Sequence, residues 1–229
     1  MYIVIGGTSG IGLETANYFH TQKKEILIGG RNKPKDTLIN YKYVDVTDEE
    51  SIKNFFEGIN QIKGLVYSAG ITTQKKNIID FEPSLWEEII QVNVTGALLC
   101  LKHAYNKLVK AKGKVVILNS FATRTYSKFS GVEYTMSKSA LSGLVKQLSI
   151  DFAKDDILIN SIFPSMTSSP MLLENINQTY LSDITKDIPL GRILKPVEVA
   201  KAIEYLISDS NTYMTGCGLD LNGGQYLDG

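Results

Sequence analysis

Tyr134 and Lys138 stand four residues apart at the head of a long amphipathic stretch, and residues four apart on a helix share one face. A tyrosine hydroxyl ordinarily holds its proton until about pH 10. A fixed cation beside it favours the phenolate, so the spacing predicts a Tyr134 of lowered pKa that passes a proton near neutral pH. Ser120 adds a second hydroxyl just beyond the apolar run Lys114 to Leu118. Ligands of open parallel sheets bind beyond the carboxyl ends of such strands.

The amino end carries a different chemistry. The apolar run Tyr2 to Ile5 stops in Gly6-Gly7-Thr8-Ser9-Gly10-Ile11-Gly12, after which Leu13, Ala16 and Phe19 recur at helical spacing. Strand, glycine turn and helix in that order let the backbone approach a pyrophosphate, whose charge sits at the helix N-terminus. Ile26 to Ile28 reads as the next strand and closes in Gly29-Gly30-Arg31-Asn32. An NAD-binding unit carries an acid for the ribose hydroxyls at this place, roughly 20 residues past the glycine turn. No acid stands there. Arg31, with Lys33 and Lys35 behind it, offers donors suited to a 2′-phosphate, so NADP(H) is expected and NAD(H) is the alternative.

These groups need a scaffold. Further strands are expected at Tyr41 to Val44, Leu65 to Tyr67, Lys114 to Leu118, Ile157 to Ile162 and Leu219 to Leu221. Between them run helices marked by Ile52, Phe55, Phe56 and Ile59, by Ile89 to Leu108, by Leu141 to Phe152 and by Val199 to Ile207. Regular alternation predicts one α/β domain over 1–229, a Rossmann-type, doubly wound, seven-stranded parallel sheet with helices on both faces. Asp45 either caps the helix that follows it or contacts an adenine. Asn93 and Gly96 interrupt a long helix over 85–111, where a kink or a functional reason is expected. The polar, methionine-dotted segment 165–188 reads as a mobile substrate lid.

Composition narrows the partners. The 229 residues are 43% hydrophobic, and 24 basic residues balance 24 acidic ones, which argues against nucleic acid or an anionic membrane as the main partner. Cys100 and Cys217 lack metal-ligand or disulfide spacing, and no metal is expected. No apolar span reaches 18 residues and no signal-peptide core follows Met1, so a soluble, cytoplasmic protein is expected.

With those residues in place, the chain resembles the short-chain dehydrogenase/reductase family in its compact branch, over nearly its whole length. Gly6, Gly10 and Gly12 match the family's glycine turn, Asp45 its adenine-side acid and Ala69-Gly70 its fourth-strand turn. Asn93, Ser120, Tyr134 and Lys138 match its catalytic four, and Pro164, Ser169-Pro170-Met171 and Gly223-Gly224 its C-terminal landmarks. Ile5, Ser68, Ser165 and Asn222 depart from the family's usual residues. The resemblance implies hydride transfer between a nicotinamide and a carbonyl carbon. Tyr134 would be the proton donor, Ser120 would steady the carbonyl oxygen, Lys138 would hold the nicotinamide ribose and Asn93 would place a relay water.

It further implies a cofactor site made of Gly6, Thr8, Ser9, Gly10, Ile11, Gly12, Arg31, Asn32, Asp45, Val46, Ser68, Ala69, Gly70, Tyr134, Lys138, Pro164, Thr167 and Ser169. Phe121, Tyr126, Met166 and Met171 are the substrate candidates. The substrate would be a small or carrier-bound ketone, such as a 3-oxoacyl thioester, in a homodimer or homotetramer. The alternatives are an NAD-dependent alcohol dehydrogenase working oxidatively and a non-catalytic dinucleotide-binding regulator.

Overall fold

The computed structural model describes residues 1–35, 37–173 and 185–227. Among these, parallel strands β1 (Tyr2–Ile5), β2 (Ile26–Gly30), β3 (Asn40–Tyr43), β4 (Gly64–Tyr67), β5 (Lys114–Leu118), β6 (Leu158–Pro164) and β7 (Gly218–Leu221) form one sheet of order β3-β2-β1-β4-β5-β6-β7. The direction of strand addition reverses at β1, so the crevice between β1 and β4 is the topological switch point. The expected seven-stranded Rossmann-type sheet is present, with strand ends one or two residues from those read in the sequence.

Strand alternation builds the two layers. Ile3, Ile5, Leu65, Tyr67, Val115 and Ile117 point to one face, against α2 (Glu49–Phe56), α4 (Gly96–Ala111) and α5 (Val132–Ala153). Val4, Val66, Val116 and Leu118 point to the other, against α1 (Gly10–Thr21) and, near the C-terminus, Pro196–Ile207. Phe19, Phe55 and Ile3 are fully buried, and each such side chain stabilises the fold by roughly 1.5–3 kcal/mol.

The interruption expected around Asn93 is a turn of π-helix. Helix α3 (Pro83–Ile90) passes through the wider turn Gln91–Thr95 into α4, and the Gly96 N–H donates to the Gln91 carbonyl. Tyr67, buried on β4, donates its hydroxyl to the Val92 carbonyl at 2.6 Å. Gly96 permits this close packing, since a Cβ there would lie 2.7 Å from the Tyr67 oxygen and 2.8 Å from the Val46 carbonyl. The bulge turns Asn93 into the protein interior, where it is fully buried.

Asp48, not Asp45, caps α2, its Oδ1 accepting from the Glu50 N–H at 3.0 Å. Asp45 instead accepts from both the N–H and the hydroxyl of Thr47, at 2.9 and 2.7 Å. In the segment read as a lid, Pro170–Leu173 forms the short helix α6 and the described residues after 184 resume at Thr185. Residues 174–184 of that expectation lie outside the described residues. The helix Pro196–Ile207 is the seventh described here and is labelled α7.

Candidate active site

A cleft of about 1100 Å³ opens at the carboxyl ends of the strands across the switch point. Gly6 and Thr8 to Ile11 line it from the β1 turn, Ser68 to Gly70 from the end of β4, and Asn119 to Ala122 from the end of β5. Tyr134 and Lys138 reach it from α5, and Pro164 to Thr167 from beyond β6. The turns after β1, β4, β5 and β6 leave the sheet at the same edge and α5 packs beside them, which is why residues far apart in sequence meet.

Ser120 is held before it reacts with anything. Its N–H donates to Asn119 Oδ1 at 2.9 Å, while the Asn119 amide donates to Ser142 Oγ on α5 at 2.9 Å. The Ser120 hydroxyl accepts from the Ala122 N–H at 3.2 Å. Burial raises the Tyr134 pKa, and the nearby Ser120 hydroxyl opposes part of that rise. This corrects the expectation of a phenol lowered by Lys138: the ammonium lies 5.9 Å from the ring centroid, and among the chain's own groups desolvation dominates. The Tyr134 phenol is therefore held above its ordinary pKa.

Lys138 is buried, and its ammonium donates to the Leu118 carbonyl at 2.8 Å. Burial lowers its pKa to about 8 from the ordinary 10.5. A Cβ added to Gly70 would stand 3.3 Å from Lys138 Nζ and 3.3 Å from Asn93 Oδ1, so the absence of a side chain there keeps the lysine open to the cleft. Asn93 itself braces the site. It accepts from the Ile71 N–H at 2.8 Å, and donates to the Ile71 carbonyl at 3.0 Å and to Ser137 Oγ at 2.9 Å. Both amide hydrogens are thus engaged by protein, and Asn93 is absent from the cleft lining.

The other end of the cleft suits an extended anionic ligand. Gly6 and Gly10 have φ of +76° and +53°, a region glycine adopts without penalty. No side chain caps α1 and no acid occupies its first turn, which leaves its N-terminal N–H groups and the positive end of its dipole for an anion. Gly12 does not line the cleft but lies beneath it, where a Cβ would fall 2.1 Å from the Gly6 carbonyl oxygen. Ser169 and Pro170 face Gly10 from the opposite wall, 3.9 Å from where its Cβ would be. Thr8, Arg31, Asp45 and Val46 line the far end, Asn32 does not, and the Asp45 carboxyl is held below its usual range by the Thr47 N–H, with the Arg31 charge adding to the effect. Glycine cradle, uncapped helix and the Arg31 guanidinium at the far end together fit a dinucleotide.

The remaining candidates Phe121, Tyr126, Met166, Met171, Thr167 and Ser169 all line the cleft. Sequence reasoning passed over Thr73, Lys128, Asp187 and Gln225, which line it too. Lys128 and Asp187 form an ion pair at 2.5 Å across its mouth. Gln225 arrives because Asn222 folds the C-terminal turn back, accepting from the Gly224 N–H at 2.9 Å and donating to the Tyr226 carbonyl at 3.0 Å. The second of these bonds needs an amide. The departure at Asn222 was the signal available in the sequence.

A parallel sheet with a dinucleotide cleft at its switch point, and a serine–tyrosine–lysine group over the β5 end, defines a nucleotide-dependent oxidoreductase. The sequence model of a family described as enoyl-(acyl carrier protein) reductase matches residues 6–225. The chain is 32% identical to the 3-oxoacyl-[acyl-carrier-protein] reductase FabG of Aquifex aeolicus, covering 98% of this chain and 96% of that one. It is 30% identical to the 3alpha-hydroxysteroid dehydrogenase of Mediterraneibacter gnavus, covering 96% and 94%. Among solved structures it resembles the ligand-free aldohexose dehydrogenase of Thermoplasma acidophilum, with a TM-score of 0.91 at 26% identity over 98% of this chain and 92% of that one. ElxO with NADP bound superposes with a TM-score of 0.89 at 26% identity over 98% of both chains. This chain belongs to the short-chain dehydrogenase/reductase family and is an oxidoreductase.

Proposed function

We propose that the chain is an NADP(H)-dependent reductase that converts a ketone to a secondary alcohol. The observation that carries this is the convergence of Ser120, Tyr134 and Lys138 on one cleft at the carboxyl ends of the strands. When bound, the nicotinamide nucleotide supplies a hydride to the carbonyl carbon. Tyr134 gives its proton to the carbonyl oxygen, and Ser120 donates a hydrogen bond to that oxygen as charge develops. Lys138, buried behind the pair and bonded to the Leu118 carbonyl, would hold the nicotinamide ribose. Asn93 holds Ile71 and Ser137, and through them the start of α5, in register with the cleft.

NADP(H) is favoured by Arg31 at the far end of the cleft and by the glycines where a ribose-binding acid would stand. A 3-oxoacyl thioester, free or carried by an acyl carrier, is supported by the reductase name of the Aquifex relative. The dehydrogenase names of other relatives support an oxidative reading as the second choice. No helix among the described residues is long and apolar enough to cross a membrane, in keeping with a cytoplasmic enzyme. Exposed Leu98, Val132, Met136 and Ile150 on α4 and α5 suit a homo-oligomer built on those helices.

The test is the loss of reduced-nicotinamide absorbance with NADPH and with NADH, across 3-oxoacyl thioesters, cyclic ketones and keto sugars. Turnover that prefers NADPH is the expected result. Tyr134→Phe should abolish turnover and keep nucleotide affinity. Full activity in that variant would refute the assignment.

A further inference from the structure

The two glycines that end β2 face opposite surroundings. A Cβ on Gly29 would stand 2.8 Å from Phe55 Cε2 and 2.8 Å from Val44 Cγ1, inside the hydrocarbon core, where a carboxylate would be desolvated and unpaired. A Cβ on Gly30 would stand 2.7 Å from both Cγ2 and Oγ1 of Thr8, and Thr8, Gly30 and Arg31 all line the cleft. Heavy atoms in contact normally keep about 3.5–4.0 Å apart, so one of the two side chains must yield.

Turning Thr8 does not remove the conflict. Two of the three staggered positions on its Cβ face Gly30 and both hold heavy atoms. Because only one substituent is hydrogen, every rotamer leaves at least one heavy atom on that side. Relief requires moving the turn that carries Thr8, and that turn is the glycine cradle itself.

We propose that Thr8 is a cofactor-selecting residue acting as one unit with Gly30: its side chain fills the space into which a strand-end carboxylate would project. A carboxylate at that strand end reads the ribose hydroxyls of NAD. The chain excludes it twice, by having glycine at 30 and by the shape of residue 8. Discrimination against NAD(H) therefore lies in a residue of the pyrophosphate turn as well as in the missing acid and Arg31. This inference rests on the nicotinamide-nucleotide reading above.

The experiment compares the parent, Thr8→Ala, Gly30→Asp and the double variant. Thermal midpoints are measured without nucleotide, and NADH and NADPH are titrated by fluorescence. Thr8→Ala leaves only a Cβ, 3.3 Å from the new one at residue 30. Gly30→Asp alone should lower the midpoint and bind NADH no better than the parent. The double variant should recover most of that midpoint and bind NADH about tenfold more tightly than Gly30→Asp alone.

Should Gly30→Asp fail to fold, Gly30→Ala with and without Thr8→Ala supplies the same midpoint comparison. Midpoint changes that simply add, or a Gly30→Asp variant that gains NADH affinity as fully as the double, would overturn the proposal. A parent that binds NADH as tightly as NADPH would instead overturn the cofactor preference proposed above. The midpoint coupling, measured without nucleotide, would still decide whether Thr8 and Gly30 act together.

Discussion

Asn93→Ala removes one fully buried amide and three hydrogen bonds, of 2.8, 3.0 and 2.9 Å. The partners left behind set the magnitude. Ser137 Oγ still donates to the Tyr134 carbonyl at 2.8 Å, so it loses only the bond it accepts. The Ile71 N–H and carbonyl lose their partner together, and Ile71 is only partly exposed. A buried group left unpaired costs roughly 1–3 kcal/mol. With part of the Ile71 backbone reached by water, the expected loss is roughly 2–4 kcal/mol. In urea, at fixed protein concentration, that should move the unfolding midpoint down by about 1 M with an unchanged slope. A cycle with Ser137→Ala isolates the bond between α5 and the π turn, with an expected coupling of about 1 kcal/mol. An Asn93→Ala protein within about 0.5 kcal/mol of the parent, or zero coupling to Ser137, would refute the view that this amide braces the site.

Lys138 makes stability pH-dependent in a defined window. Its folded pKa is depressed to about 8 from 10.5, so between those values the unfolded chain binds more protons and this lysine's contribution makes stability rise with pH. Comparing parent and Lys138→Met unfolding from pH 7 to 10.5 should show that this rise is lost in the variant; identical curves would contradict the buried, depressed lysine. Gly12→Ala puts a Cβ 2.1 Å from the Gly6 carbonyl and should prevent folding. Gly10→Ala meets nothing closer than 3.9 Å, and should lose only about 1–2 kcal/mol for its left-handed backbone while weakening nucleotide binding. Thermal midpoints and nucleotide titrations of the two variants separate these outcomes. Arg31→Ala should weaken NADPH by about tenfold or more and leave NADH unchanged in the same titrations.

Periodicity and local spacing are properties of neighbours along the chain, and these determined a great deal. Short apolar runs defined the strands, the Gly6 to Gly12 spacing defined the turn, and the four-residue step from Tyr134 to Lys138 placed both on one face of α5. Asn93 and Gly96, poor residues for a helix interior, marked an interruption that the folded chain forms as a π turn. What the folded chain alone decided is which distant groups share a surface and which are shielded from water. Asp48 took the cap of α2, while the Asp45 carboxylate is engaged by Thr47.

Lys138 was expected to lower the phenol's pKa, but its ammonium points to the Leu118 carbonyl, twenty residues earlier in the chain, and burial governs the phenol instead. Gly30 reads in sequence as a missing acid. Only the approach of Thr8 from the neighbouring strand's turn shows that the acid has no room. Desolvation and steric exclusion depend on every atom within a few ångströms, most of them far away in sequence, and so arise only when the sheet brings its strand ends together.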